Sequence, residues 1–466
     1  MTPSLRLSSL ALALLLAGCS TVTPHSPPSM AAMPAAFKEA GATWAPAAPA
    51  DALDRGPWWE LFNDPELNRL ASEVQLSNQN IAAAVAAYAQ AQAVVRQQRA
   101  GLLPSVSLSG GATRTGGEGT SRPGTTTQAS LGVDWAPDLW GRLQGGVDNA
   151  TASAQASEAD LASARLSAVG TLASAYFQLR EADAEIDLLQ ATVEGYERSL
   201  QIARNRYAAG VVAQTDVLQA QTQLANARAD LATVRQNRAR YEHALAVLTG
   251  RAPANFALPP AAWTAQVPDV PVGLPSDLLQ RRPDIAAAER AVAAANAQIG
   301  IQRAAYFPSL SLGASLGSSG SSVGDLFQAS HLVWSLGLSV AQSIFDAGAN
   351  AARVEQAQAA HEARVATYRQ TVLTAFQTVE DQLTTLRTLQ QQEPLRGEAL
   401  SAAERTAQQQ LNRYREGQVG YTEVVTAQAA ALSAQRALLQ LQVNRQLAVV
   451  ALVQALGGGW QAPWAG

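Results

Sequence analysis

Arg206 to Gln221 reads RYAAGVVAQTDVLQAQ, and Arg413 to Gln428 reads RYREGQVGYTEVVTAQ, at an offset of 207 residues. A second pair recurs at nearly the same spacing: Pro104-Ser105 with VSLSGGA, and Pro308-Ser309 with LSLGAS, at an offset of 204. Two offsets this close mean two tandem copies of one unit of roughly 170 residues, and such self-similarity governs every local assignment. The first copy occupies 61–250 and the second 284–457, each expected to hold a helix, two β-strands and a long helical hairpin. Between them lies a proline-rich linker, 251–283, which reads as irregular structure. A segment over 19–60 precedes the first copy, and a short tail over 458–466 follows the second.

Within each copy the hydrophobic period switches between two and seven. Ala129, Leu131, Val133 and Trp135 alternate with polar or small residues, as do Trp334, Leu336, Leu338 and Val340. Val106 and Leu108, and later Leu310, Leu312, Ala314 and Leu316, do the same. A period of two gives strands with one apolar face and one face of Ser and Gly. Four strands of about ten residues result, the length that crosses a bilayer at a tilt. Sheet facing lipid must close into a barrel, because each unpaired backbone group in hydrocarbon costs several kcal/mol. Single-chain bacterial barrels need at least about eight strands, so four per chain must be completed by further copies. A soluble sandwich with its apolar face buried is the alternative that the pattern alone leaves open.

The seven-residue period marks long helices. No proline falls between Pro137 and Pro253 or between Pro308 and Pro394. In the first copy Leu172, Leu179, Ile186, Val193, Leu200 and Tyr207 recur every seventh residue, with Ala175, Ala182, Leu189, Tyr196 and Ala203 three places later. Val379, Leu386, Glu393, Leu400, Ala407 and Tyr414 hold the matching places in the second copy. A sustained heptad is a coiled-coil seam, and alanine at inner positions lets helices approach closely. The helix from about Gly141 to Tyr207 is on the order of 100 Å long at 1.5 Å per residue. Its return partner, Thr215 to Leu248, is half that length. Pro394 is expected to kink the second long helix.

Composition narrows the function. The 466 residues are 47% hydrophobic but only 15% charged, against about 25% charged in ordinary soluble domains. A net charge of -4 carries no electrostatic footprint for nucleic acid. The four histidines, His25, His243, His331 and His361, are scattered, and no pair has metal-ligand spacing. Neither a phosphate-cradling loop nor a nucleophile elbow is present, so no enzyme chemistry is expected. At the N-terminus, residues 1–18 form a signal peptide with the apolar run LALALLLA from Leu10 to Ala17. LAGC ends at Cys19, the chain's single cysteine, which reads as the lipidated residue of a lipoprotein. Ser20 favours the outer membrane, and a plain secretory signal with an incidental cysteine is the alternative.

Several motifs together resemble the TolC-like outer membrane factors, in particular the OprM/NodT-type lipoproteins of tripartite efflux pumps. They are GPWWELFNDPELNRL from Gly56, DLLQRRPDIAAAERAVAAANAQIGIQRAAYFPSLSL from Asp277, IFDAG from Ile344 and the two RYxxG stretches. The resemblance implies an α+β membrane protein: a trimeric 12-stranded β-barrel, four strands per chain, continued by a long α-helical barrel. It implies a passive exit duct in the outer membrane, lipid-anchored through Cys19 and without other cofactors. The implied partners are a periplasmic adaptor and an inner-membrane pump of the proton-driven RND type. A type I secretion duct and a structural periplasmic lipoprotein are the alternatives.

In similar proteins the helix tips close the tunnel as an iris and meet the adaptor. Carried over by position, Thr215 and Asp216 match residues that bond to the neighbouring helix, Tyr414 matches the tyrosine before the second tip glycine, and Glu423 matches an acid in the constriction. Gly210, Val211, Gly417 and Val419 fall at the tip turns and adaptor contact. Two positions depart from the pattern: the latching arginine is Val419 here, and a second acidic position is Thr426. The tip latch is therefore expected to be weaker or built from other contacts. Asp216 and Glu423 also fit a plainer reading, as first-turn acids stabilising a helix N-terminus by about 0.3–1 kcal/mol. Trp135, Trp140, Tyr306, Phe307, Trp334 and Phe345 fit an interfacial aromatic belt, with core packing as the alternative. Trp58, Trp59 and Phe62 are expected to pack the linker region.

Overall fold

The computed structural model describes residues 25, 26, 28, 36–39, 57–117, 124–268, 270 and 281–458. The signal peptide, Cys19, Ser20 and the tail beyond 458 lie outside them. Chain order is α1 (Pro65–Ser77), α2 (Gln79–Ala100), β1 (Ser105–Thr115), β2 (Gly124–Trp135), α3 (Arg142–Ala208) and α4 (Gln214–Leu248). The second half repeats it with α5 (Pro283–Arg303), β3 (Ser309–Gly320), β4 (Leu332–Ala341), α6 (Ala349–Arg415) and α7 (Tyr421–Ala455). The described residues form two compact units, each drawing on both repeats.

The first unit includes 86–158 and 286–370 and holds the strands. They make one antiparallel sheet in the order β1-β2-β3-β4, so each repeat supplies a hairpin and β2 joins β3. The register turns the period-two pattern into continuous cross-strand rows. Leu108 pairs Leu131, Leu131 pairs Leu316 and Leu316 pairs Trp334. The adjacent row is Ser107, Gly132, Ser315 and Ser335. One face is thus apolar and the other small and polar, where Ser109 and Ser130 hydroxyls lie 2.8 Å apart, as do those of Ser315 and Ser335. Leu108 (80% exposed), Trp334 (74%) and Leu336 (73%) leave that apolar face uncovered among the described residues. Burying one such side chain is worth about 1.5–3 kcal/mol, so this face needs lipid or another copy against it. β1 and β4 each have one strand partner in this sheet.

The belt aromatics divide. Trp140 stacks on Phe307 with ring centroids 4.9 Å apart and donates through Nε1 to the Pro308 carbonyl at 2.6 Å. Trp135, Tyr306, Trp334 and Phe345 are exposed, as interfacial residues are.

The second unit includes 159–285 and 371–466. Its seam follows the heptad: Leu172, Leu179, Leu189, Tyr196, Leu200 and Ala203 are buried, and so are Val379, Leu386 and Tyr414. Tyr207 is the departure, exposed at 46% where the heptad places it inside. α6 continues as helix on both sides of Pro394, the ring removing one backbone donor without ending the element. No helix among the described residues is long and apolar enough to cross a membrane.

The described first part of the linker, 251–268, carries a 3-10 turn at Pro253–Asn255 and is pinned to the helices. Buried Arg180 holds Asp183 at 3.0 Å and the Pro259 carbonyl at 2.9 Å. Arg238 reaches Asp183 at 2.6 Å, and Glu242 accepts from the Leu258 amide at 2.7 Å. Charges this buried persist only when paired and hydrogen-bonded, as here. Trp58, Trp59 and Phe62 are buried in a 3-10 turn, with Phe62 against Phe177 at 4.7 Å. Asp64 caps α1 through the Glu66 and Leu67 amides and accepts from Tyr176 Oη at 2.7 Å.

Candidate functional site

The RYxxG stretches end the long helices. At the first, the Val211 amide bonds the Arg206 carbonyl and the Gly210 amide bonds the Tyr207 carbonyl, both at 2.9 Å. At the second, the Gln418 amide bonds Arg413 at 2.9 Å and the Gly417 amide bonds Tyr414 at 3.0 Å. These are two Schellman caps, with the glycine left-handed at φ 71° and 78°. The chain reverses within a few residues, so α3/α4 and α6/α7 form two short-turned hairpins.

The hairpins share a core. Tyr196, Leu200 and Ala203 from α3 meet Ala220, Leu224 and Ala227 from α4, together with Tyr414 from α6 and Tyr421 and Val424 from α7. Val212 and Val419 pack against this cluster from the two turns. Val419 is therefore a packing residue of the tip, whereas Val211 is exposed. Tyr414 and Tyr421 meet edge to face with centroids 5.2 Å apart. Burial pushes the Tyr414 hydroxyl up to about 12, with the charge of Asp216 adding and Arg206 opposing. Burial likewise pushes Tyr421 up, with Tyr414 adding to it.

Of the residues singled out in the sequence, the structure brings Tyr414 and Asp216 together: Tyr414 Oη donates to Asp216 Oδ2 at 3.3 Å. Thr215 is exposed and lines a cavity of about 790 Å³ between α4 and α7, with Gln219, Gln223, Asp230, Thr426 and Arg436. Glu423 is exposed in the first turn of α7, as Asp216 stands in the first turn of α4. Higher up, Arg436 ties three helices, reaching Glu185 at 2.6 Å and Asp230 at 3.4 Å.

Sequence reasoning assigned no role to Arg206. Its Nη1 donates to the carbonyls of Tyr414 and Arg415, the latter at 3.0 Å, and its guanidinium lies 4.8 Å from the centre of the Tyr414 ring. A cation on the last carbonyls of α6 satisfies groups that the helix leaves open and meets the negative end of its dipole. The signal was present in the sequence, since Arg-Tyr precedes both tips, but only the fold shows which side chain crosses to the other hairpin.

The family model described as outer membrane efflux protein matches residues 70–251 and 274–458. The toluene efflux pump outer membrane protein TtgC of Pseudomonas putida is 34% identical over 470 aligned residues, which cover 99% of this chain and 96% of that protein. The pyoverdine export outer membrane protein OpmQ of Pseudomonas aeruginosa is 32% identical over 98% of this chain and 97% of its own length. Among solved structures, the outer-membrane channel OprN superposes with a TM-score of 0.85 at 30% identity, covering 95% of this chain and all of that one.

Proposed function

This chain belongs to the outer membrane efflux protein family, and on that premise we propose a trimeric exit duct gated at its helix tips. The protein is a passive channel of an efflux pump in the outer membrane rather than an enzyme. In the proposed assembly three copies close one barrel through the outer edges of β1 and β4. The observation that carries it is the four-stranded sheet, apolar on one face and lined with Ser and Gly on the other. Four strands cannot close a barrel, and a lumen of small hydroxyls and glycines has no side chains shaped to read a cargo. Relatives named for toluene efflux and for pyoverdine export at similar identity support a duct that leaves selection to its pump.

In this reading Thr215, Asp216, Tyr414 and Glu423 form the gate, and the turns at Gly210, Val211, Gly417 and Val419 face the adaptor. The adaptor joins the duct to an RND-type inner-membrane pump, and Cys19 carries the lipid that anchors the N-terminus. One Glu423 per copy makes a ring of carboxylates, which favours cations and raises the cost of ionising all members together. Planar-bilayer recording of the purified protein, with crosslinking to count subunits, tests the assembly. Glu423→Ala is expected to lower cation preference or change single-channel conductance; the wild-type values for both would remove Glu423 from the gate.

A further inference from the structure

The two hairpins of one chain are joined by a clamp whose repeat counterpart is left open. Arg206 and Asp216 of the first hairpin hold Tyr414 of the second: the guanidinium stacks on its ring and takes its carbonyl, and the carboxylate accepts from its hydroxyl. The same positions in the other repeat, 207 residues apart, are Arg413, Glu423 and Tyr207. Arg413 and Glu423 lie on the second hairpin and Tyr207 on the first. All three are exposed, and none makes a side-chain hydrogen bond or ion pair among the described residues. Tyr414 is 1% exposed inside its clamp, while Tyr207 is 46% exposed without one.

Resting on the trimeric reading above, we propose that Arg413 and Glu423 clamp the partner's Tyr207 across the subunit boundary, making a second tie that closes the tip ring. Tandem repeats arranged around an axis alternate first and second hairpins, so the hairpin-to-hairpin interface within a chain has a counterpart between chains when the ring closes. The side of the second hairpin that corresponds to the Arg206 side of the first can meet only a first hairpin of the next copy. There the guanidinium of Arg413 stacks on the partner's Tyr207 and reaches the last carbonyls of that subunit's α3, which favour a cation at a helix C-terminus. One oxygen of Glu423 accepts from the hydroxyl of the partner's Tyr207, a charge-assisted bond. The arginine missing at 419 is thus replaced from a different position, and Glu423 gains an intersubunit role besides its place in the carboxylate ring.

The test is a cysteine pair in the full-length chain, whose native Cys19 lies outside the pair. Tyr207→Cys with Arg413→Cys, treated with a short bis-methanethiosulfonate linker, is expected to yield reductant-sensitive products with the mass of two and three chains. Arg206→Cys with Tyr414→Cys yields a product of single-chain mass. Only single-chain products from the 207/413 pair, in a protein that still assembles and conducts, overturn the proposal and leave the channel reading intact. A wild-type protein that neither trimerises nor conducts overturns that reading instead, and this proposal with it. Should the cysteine pair not assemble, Arg413→Ala decides. The intact trimer is expected to gain about tenfold in its open-to-closed ratio, equivalent to about 1.4 kcal/mol, with partial rescue by Arg413→Lys; wild-type gating in Arg413→Ala overturns the proposal.

Discussion

Glu181 shows what burial does to a single carboxyl in this protein. It sits half-buried on α3, one turn from Glu185, which is paired with Arg436. Burial raises it from 4.5 to about 7, Glu185 adds to the rise and Arg436 opposes it. A folded-state value above the unfolded one means that the native state holds this proton more tightly. The stabilisation is complete below pH 4.5 and is lost as pH rises through about 7. Glu181→Gln is therefore expected to stabilise the protein at pH 8 relative to wild type, and to do little at pH 4. The gain is on the order of 1 kcal/mol once solvent screening of a partly exposed group is allowed for. Thermal unfolding midpoints of the two proteins at both pH values check it, and equal midpoints at pH 8 contradict it.

At the scale of elements, the tip turns depend on two left-handed residues. Gly210 has open space around an added Cβ, so its φ of 71° is the sole demand for glycine there. At Gly417 an added Cβ also meets Arg206 Nη2 at 3.4 Å. Gly417→Ala is expected to cost about 1–2 kcal/mol for the left-handed backbone and to press on the clamp as well. Gly210→Ala should carry the backbone cost alone. Amide hydrogen exchange in the equivalent windows reads the difference: the speeding over 411–424 in the Gly417 variant should exceed that over 204–217 in the Gly210 variant, and equal speeding would show that the guanidinium accommodates the methyl group. The hairpins themselves were legible from the heptads, the proline-free runs and the RYxxG stops. Tyr207 was misplaced, because a heptad gives the period of a seam and not where the partner helix stops covering it.

For the whole molecule, the sheet decides how the protein meets its membrane. The rows Leu108-Leu131-Leu316-Trp334 and Val106-Val133-Ala314-Leu336 give an apolar face that is left largely exposed among the described residues. Leu336→Arg is expected to cost up to about 2–4 kcal/mol if the residue lies near the bilayer midplane. The outer-membrane fraction of the protein should fall accordingly in cell fractionation, while Ser335→Arg on the opposite face is better tolerated. Equal recovery of both variants would show that the lipid-facing side has been misassigned.

The sequence by itself determined the two-repeat plan, the four strands and the long and short helices. Each of those is encoded locally, in a period of two or seven, a proline, a glycine stop or a repeated offset. The linker's anchorage, the shared tip core and the Arg206 clamp were decided only in the tertiary structure. Arg180 meets Pro259, and Arg206 meets Tyr414, across long stretches of chain. Side chains are chosen there by which helices come to lie together, and period and spacing carry no trace of that. Arg206 and Arg413 show the limit most plainly: both open the same RYxxG motif, and the fold alone gives one of them a partner within its own chain and leaves the other facing outward.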